Sequence, residues 1–157
     1  MVTLIARLRA IAGQRRQDIL RIMRPAGEAK HVRVLIAKRK QTEVRVSVDI
    51  PLTPGVKAIV DRAIELTRDA PPSLFLFCDR SGQPYAENGF KTPCNRLQVE
   101  FAANGDERFT YHDLRALYVS TGMALGKRVT EATGHKSDKT ARGIYDRRRV
   151  RKAEPTE

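Results

Sequence analysis

With 157 residues, 41% of them hydrophobic, the chain suffices for one domain with a buried core, and disorder is not its default state. A formal charge of +12 and a pI near 10.3 point to a polyanionic partner. No apolar run reaches membrane-spanning length, and because Arg7 and Arg9 break the first apolar stretch it does not resemble a secretory signal. Cys78 and Cys94 lack metal-ligand spacing and are too few for a disulfide framework, so they read as buried thiols in a reducing cytoplasm. Residues 1–40 hold eleven Lys and Arg against Asp18 and Glu28, and a second basic cluster, Arg147-Arg148-Arg149 with Arg151 and Lys152, closes the chain. Two basic runs bracketing a fold suit a nucleic-acid backbone, and the 6% aromatic content without Trp argues for duplex DNA over a base-stacking single-strand platform.

Residues 2–11 are predicted helical, with Leu4, Ile5, Leu8 and Ile11 on one face. Gly13 ends that helix, and a second runs over about 15–23 with Ile19, Leu20, Ile22 and Met23 inward, until Pro25-Ala26-Gly27 stops it. Residues 31–37 and 44–50 alternate apolar and polar (Val32, Val34, Ile36; Val44, Val46, Val48) and predict a hairpin with Lys38-Arg39-Lys40-Gln41-Thr42 at its tip. A helix follows over about 54–68, its apolar side carried by Val56, Ile59, Val60, Ala63, Ile64 and Leu66. Residues 73–77 read as a short buried strand or core segment and 79–84 as a surface turn. The next helix, 87–103, is interrupted early by Pro93 and carries Leu97, Val99 and Phe101 near its end. Residues 50–105 as a whole read as scaffold.

Thr110 is predicted to cap a further helix, with Asp113 three residues on as in a capping box. This helix continues to Ala124 with Leu117, Tyr118 and Val119 in or near the core, and Gly122 and Gly126 loosen the turn after it. A short helix over 127–132 leads to Gly134 and His135, and Asp138 can cap a final helix that carries Tyr145. The expected class is therefore α+β, mainly α-helical with a small antiparallel β-sheet.

His112 and Arg115, at i and i+3, share a helix face near an N-terminus. A rigid donor fork, an imidazole and the positive helix end together make a phosphate receptor. Around this pair, in chain order, stand Ala12-Gly13-Gln14-Arg15-Arg16, then Thr133-Gly134-His135-Lys136-Ser137, then Tyr145-Asp146-Arg147-Arg148. In that order the segments resemble the tyrosine recombinase (phage integrase) family, over almost the whole chain from about Leu4 to Arg149. Family members carry an Arg box, a hairpin Lys, a His-x-x-Arg box, a Gly-His box and a nucleophilic Tyr. Three features differ here: Thr133 replaces the usual Leu, the stretch from Arg115 to His135 is short, and the gap from His135 to Tyr145 is one residue longer.

The resemblance implies the DNA breaking-rejoining catalytic-domain fold over residues 1–157, with the N-terminal core-binding domain outside this chain. It makes Arg15 the first catalytic arginine, held by Asp18, and Arg115 the second. Lys40, with Lys38 as the alternative, becomes the general acid on the hairpin tip. His135 adds a phosphate contact, His112 accepts or steers the nucleophile's proton, and Tyr145 attacks. The implied chemistry forms a 3′-phosphotyrosine and a free 5′-hydroxyl, with no metal, cofactor or ATP. Implied partners are double-stranded DNA, further copies of the chain as a tetramer on that DNA, and accessory DNA-bending proteins. Two other readings stand beside it: a non-catalytic basic DNA-binding module, and strand transfer of the type IB topoisomerase or telomere resolvase kind.

Overall fold

The structure is a computed structural model and describes residues 1–36, 47–105, 107 and 109–133. The hairpin tip with Lys38 and Lys40, the Gly-His segment with His135, and the segment with Tyr145 lie outside the described residues.

Helix α1, Val2–Ala12, buries Leu4, Ile5, Leu8 and Ala12. Ile11, expected on that face, is exposed instead, because it lies at the edge of the stripe carried by Ile5, Leu8, Arg9 and Ala12. Gly13 closes the helix with φ +66°, donating its N–H to the Arg9 carbonyl at 2.8 Å. A Cβ at Gly13 would also meet the Tyr118 ring at 2.2 Å, so only glycine satisfies both the dihedral and the packing.

Helix α2 is shorter than its pattern predicts, spanning Arg16–Leu20. The chain beyond it turns extended: Ile22 accepts from the Leu76 N–H and Arg24 donates its N–H to Leu74, each at 2.8 Å, with Met23 bridged to Phe75. Alternation along this pairing buries Ile22 and leaves Met23 47% exposed, correcting the inward placement of Met23. Pro25 contributes by disfavouring helical dihedrals at the residue before it.

Strands β1, His31–Leu35, and β2, Ser47–Pro51, pair antiparallel, with Val32 opposite Ile50 and Arg33 opposite Asp49. Val32, Val34 and Ile50 face the core, while on the outer face Arg33 grips Asp49 through two hydrogen bonds of 2.7 and 2.8 Å. His31 lies 3.3 Å from the same carboxylate.

Helix α3, Pro54–Leu66, starts where the Thr53 hydroxyl accepts the Val56 N–H, with Pro54 in its first turn. Val56, Ile59, Val60 and Ala63 form the buried stripe, and each larger side chain on it contributes about 1.5–3 kcal/mol by leaving water. The stripe continues to Thr67, and Ile64 and Leu66, both expected inward, are exposed. Residues 73–77 supply Leu76 and Phe77 to the core, and the Asp79 carboxylate shapes the following turn by accepting the Ser81 and Gln83 N–H groups.

Helix α4, Glu87–Ala103, runs unbroken through Pro93 and buries Phe90, Cys94 and Gln98 at i, i+4 and i+8. The carbonyl that Pro93 leaves without its helical donor belongs to Gly89, which faces solvent, so water can satisfy it. Val99 and Phe101 are exposed, Phe101 packing edge-on against Phe109.

Helix α5, Asp113–Ala124, packs on α1 and buries Arg115, Ala116, Val119 and Gly122. Leu117, expected in or near the core, is 53% exposed on the opposite side. Gly122 belongs to the helix and not to the turn after it: a Cβ there would sit 2.4 Å from Val129. The turn itself is made by Gly126 at φ +68°. Helix α6 starts at Thr130, later than the 127 expected, and is described over Thr130–Thr133, with Val129 packed against Ala116 and Val119 in a small second core. Among the described residues no helix is long and apolar enough to cross a membrane.

Candidate active site

Three of the six proposed catalytic residues lie among the described ones. Arg15 is the N-cap of α2, with extended dihedrals and an exposed side chain. His112 is the residue before α5 and is also exposed. Arg115, one turn into α5, is only 2% exposed.

The turn that presents His112 is built locally. Thr110 donates both its N–H and its hydroxyl to the Asp113 carboxylate at 2.7 Å, and its hydroxyl oxygen accepts the Asp113 N–H at 3.4 Å. That is the reciprocal box expected from Thr-x-x-Asp. Regular helix begins only at Asp113, because Asp113 N–H bonds the Thr110 carbonyl and closes a tighter turn first.

Arg115 supplies the long-range geometry. Its Nη1 donates to the Gly13 carbonyl and its Nη2 to the Thr133 carbonyl, both at 2.6 Å. Gly13 is two residues before Arg15, and Thr133 is two residues before His135. One guanidinium therefore gathers three segments that the chain keeps far apart. Thr133 is itself buried, its hydroxyl donating to the Val129 carbonyl at 2.7 Å.

A second buried guanidinium works beside the first. Arg9, 4% exposed, donates from Nη1 to the Gln14 carbonyl at 3.0 Å, and its charged carbon sits 4.3 Å from the centre of the Tyr111 ring. Tyr111 also meets Phe90 edge-to-face at 5.0 Å. Burial pushes the Tyr111 hydroxyl up to about 12 against the opposing pull of Arg9. Gln14 is buried too, its amide donating to the Ala12 carbonyl at 3.3 Å. The successive carbonyls of Gly13 and Gln14, just before Arg15, are thus each held by a buried arginine.

Other members of the N-terminal basic cluster are also engaged within the fold. Arg24 donates to Thr67 Oγ1 at 2.6 Å and to the Phe75 carbonyl, Arg16 pairs with Glu87, and Arg33 with Asp49. The early basic run is therefore only partly a solvent-facing grip, which narrows its expected role. Asp18 is buried in the first turn of α2. Among the described residues no group of three or more His, Cys, Asp or Glu could hold a metal ion.

Sequence reasoning overlooked Arg9, which it counted with the DNA-facing charges, and Thr133, which it noted only as a departure. A signal for Arg9 existed: Ile5, Arg9 and Ala12 fall at i, i+4 and i+7, the spacing of the buried stripe. Thr133 acts through its carbonyl, which no residue type encodes.

The mainly helical domain, its two-stranded antiparallel sheet and the arginines drawn to the turn between α1 and α2 define the fold of a tyrosine recombinase catalytic domain. The chain belongs to the phage integrase family, whose model matches residues 3–151. Among solved structures it is similar to a lambda integrase tetramer bound to a Holliday junction, at 21% identity and TM-score 0.69 over 98% of this chain and 45% of that one. The Tn1549 transposon integrase in complex with transposon right end DNA is similar at 15% identity and TM-score 0.71, over 99% and 54%. So is the XerH site-specific recombinase bound to difH substrate, at 20% identity and TM-score 0.65, over 92% and 42%. The chain thus spans about half the length of these structures or less. No curated protein sequence matches it.

Proposed function

We propose that residues 1–157 act as the catalytic domain of a site-specific DNA recombinase or integrase. The observation that carries this reading is the pair of bonds from Arg115 to Gly13 and Thr133, because they bring to one guanidinium two carbonyls that stand, in sequence, two residues before Arg15 and two before His135.

A phosphodiester resists attack because its oxygens are anionic and its alkoxide leaves poorly. Cleavage needs charge stabilisation, an oriented nucleophile and a proton donor. Arg15 and Arg115 clamp the non-bridging oxygens, and His135 adds a hydrogen bond to them. Tyr145 attacks phosphorus as His112 accepts or steers its proton, since a phenol with a pKa near ~10 is a weak nucleophile when neutral. The bond to the 5′ oxygen breaks, and Lys40, or Lys38 in its place, gives that oxygen a proton. The product is a 3′-phosphotyrosine, and reversal by a 5′-hydroxyl of another strand rejoins DNA without a metal or ATP.

The substrate is double-stranded DNA, engaged by a tetramer with accessory DNA-bending proteins, and the site of action is therefore the cytoplasm at the nucleoid. Support for the DNA substrate and the tetramer comes from the similar lambda integrase, a tetramer bound to a Holliday junction. The test is covalent trapping on a pool of nicked duplexes of randomised sequence. Wild-type protein is expected to leave a denaturation-resistant protein–DNA adduct that Tyr145→Phe abolishes while DNA binding persists. Binding without any adduct from wild type makes the chain a non-catalytic DNA-binding module. Relaxation of supercoils without exchange between duplexes makes it topoisomerase-like.

A further inference from the structure

Arg9 is a charged side chain buried in α1, and two of its contacts bear on the site. One is the main chain of Gln14, the residue before Arg15; the other is the ring of Tyr111, the residue before His112. Burying a guanidinium is costly unless its partners are well placed, and a Leu or Met would fill the same space in α1 at no such cost. A charge kept there calls for a role that an apolar side chain lacks. Its described contacts are to the protein itself, the Gln14 carbonyl and the Tyr111 ring.

We propose that Arg9 is a positioning residue for strand cleavage, setting the placement of Arg15 relative to His112 through the Gln14 carbonyl and the face of Tyr111. The two contacts differ in kind. The hydrogen bond is directional and fixes the turn after α1, whereas the ring contact needs only a cation above a π-face. Arg9 and Arg115 then divide the work: Arg115 ties the turn to α6, and Arg9 ties it to the start of α5. A displacement of about 1 Å between groups that act on one phosphate can cost on the order of a hundredfold in rate, so a side chain touching no substrate can control turnover.

This inference rests on the strand-cleavage reading, and two measurements keep their failures apart. Backbone hydrogen exchange on the full-length chain needs no activity. Arg9→Met is expected to speed exchange at residues 13–16 and 110–113 together while α3 keeps its protection. Uniform acceleration across the chain, or none at those two segments, overturns the proposal and leaves Arg9 an ordinary core residue. The second measurement uses a duplex recovered from the trapping pool. Arg9→Met should lower the adduct-forming rate at saturating duplex about 10- to 100-fold while shifting the half-saturating concentration less than about threefold. Arg9→Lys keeps a cation over the ring and should fall between Arg9→Met and wild type. Tyr111→Leu should lower the rate as Arg9→Met does, and Tyr111→Phe, which keeps the ring, should not. A rate that follows only the folded fraction of each variant overturns the proposal, and absence of any wild-type adduct overturns the cleavage reading alone.

Discussion

Arg115 and Gly13, 102 residues apart in sequence, are joined by a 2.6 Å hydrogen bond from Nη1 of the one to the carbonyl of the other. With the companion bond to Thr133, it makes the arginine of the His-x-x-Arg pair a structural member of the fold. Arg115→Lys is expected to lower stability by about 2–4 kcal/mol, since one ammonium cannot reach two carbonyls held by a fork and a buried acceptor left unsatisfied is costly. Urea denaturation measures this. A loss below about 0.5 kcal/mol would mean the two bonds contribute little to the fold.

Gly13 is held by its own conformation as well as by Arg115. A Cβ there meets the Tyr118 ring at φ +66°. Gly13→Ala should cost about 2–4 kcal/mol from backbone strain and overpacking combined. Adding Tyr118→Ala should recover part of that loss, because it removes the clash and leaves the strain. Strict additivity of the two substitutions in a denaturation series would contradict the close approach.

Tyr111 sets an alkaline limit on stability. Its hydroxyl is pushed up to about 12 by burial, whereas an unfolded chain's phenol titrates near ~10. As pH rises the unfolded state sheds this proton first. The contribution is therefore complete below ~10 and is lost as pH climbs from there through about 12. Ultraviolet titration of the phenolates should show a late step that Tyr111→Phe removes. If every tyrosine ionised near ~10, the buried environment of Tyr111 would be wrong.

DNA affinity should fall steeply with salt, by about tenfold or more between roughly 50 and 200 mM, with little preference for sequence. Fluorescence anisotropy on unrelated duplexes measures both properties. Tight binding indifferent to salt would contradict a backbone-directed grip.

Much of this architecture was legible in the sequence, for physical reasons that vary by segment. The helices α1, α3 and α4, most of the buried stripes of α1 and α3, the cap at Thr53 and the reciprocal Thr110–Asp113 bonds rest on local chemistry and formed where expected. The helix expected to start at Thr110 starts instead at Asp113, and the apolar residues Val99 and Phe101 of α4 are exposed. Met23 failed because its helical pattern lost to pairing with residues 74–76, a contact no local rule contains. Ile64, Leu66 and Leu117 failed because a strongly apolar segment offers more apolar residues than its core-facing stripe can hold. In the site, the residue types of the boxes were readable. What joins them was not, since Arg115 and Arg9 act on main-chain carbonyls.

Those acceptors have an evolutionary consequence. Every amino acid carries a carbonyl, so replacing the side chain at position 14 or 133 leaves the acceptor itself in place, while replacing either donor removes the bond outright. In a saturation library, deleterious variants of these two bonds should cluster on the two arginines, and Gly13 is the exception among the acceptors because its dihedral and the Tyr118 ring exclude a side chain.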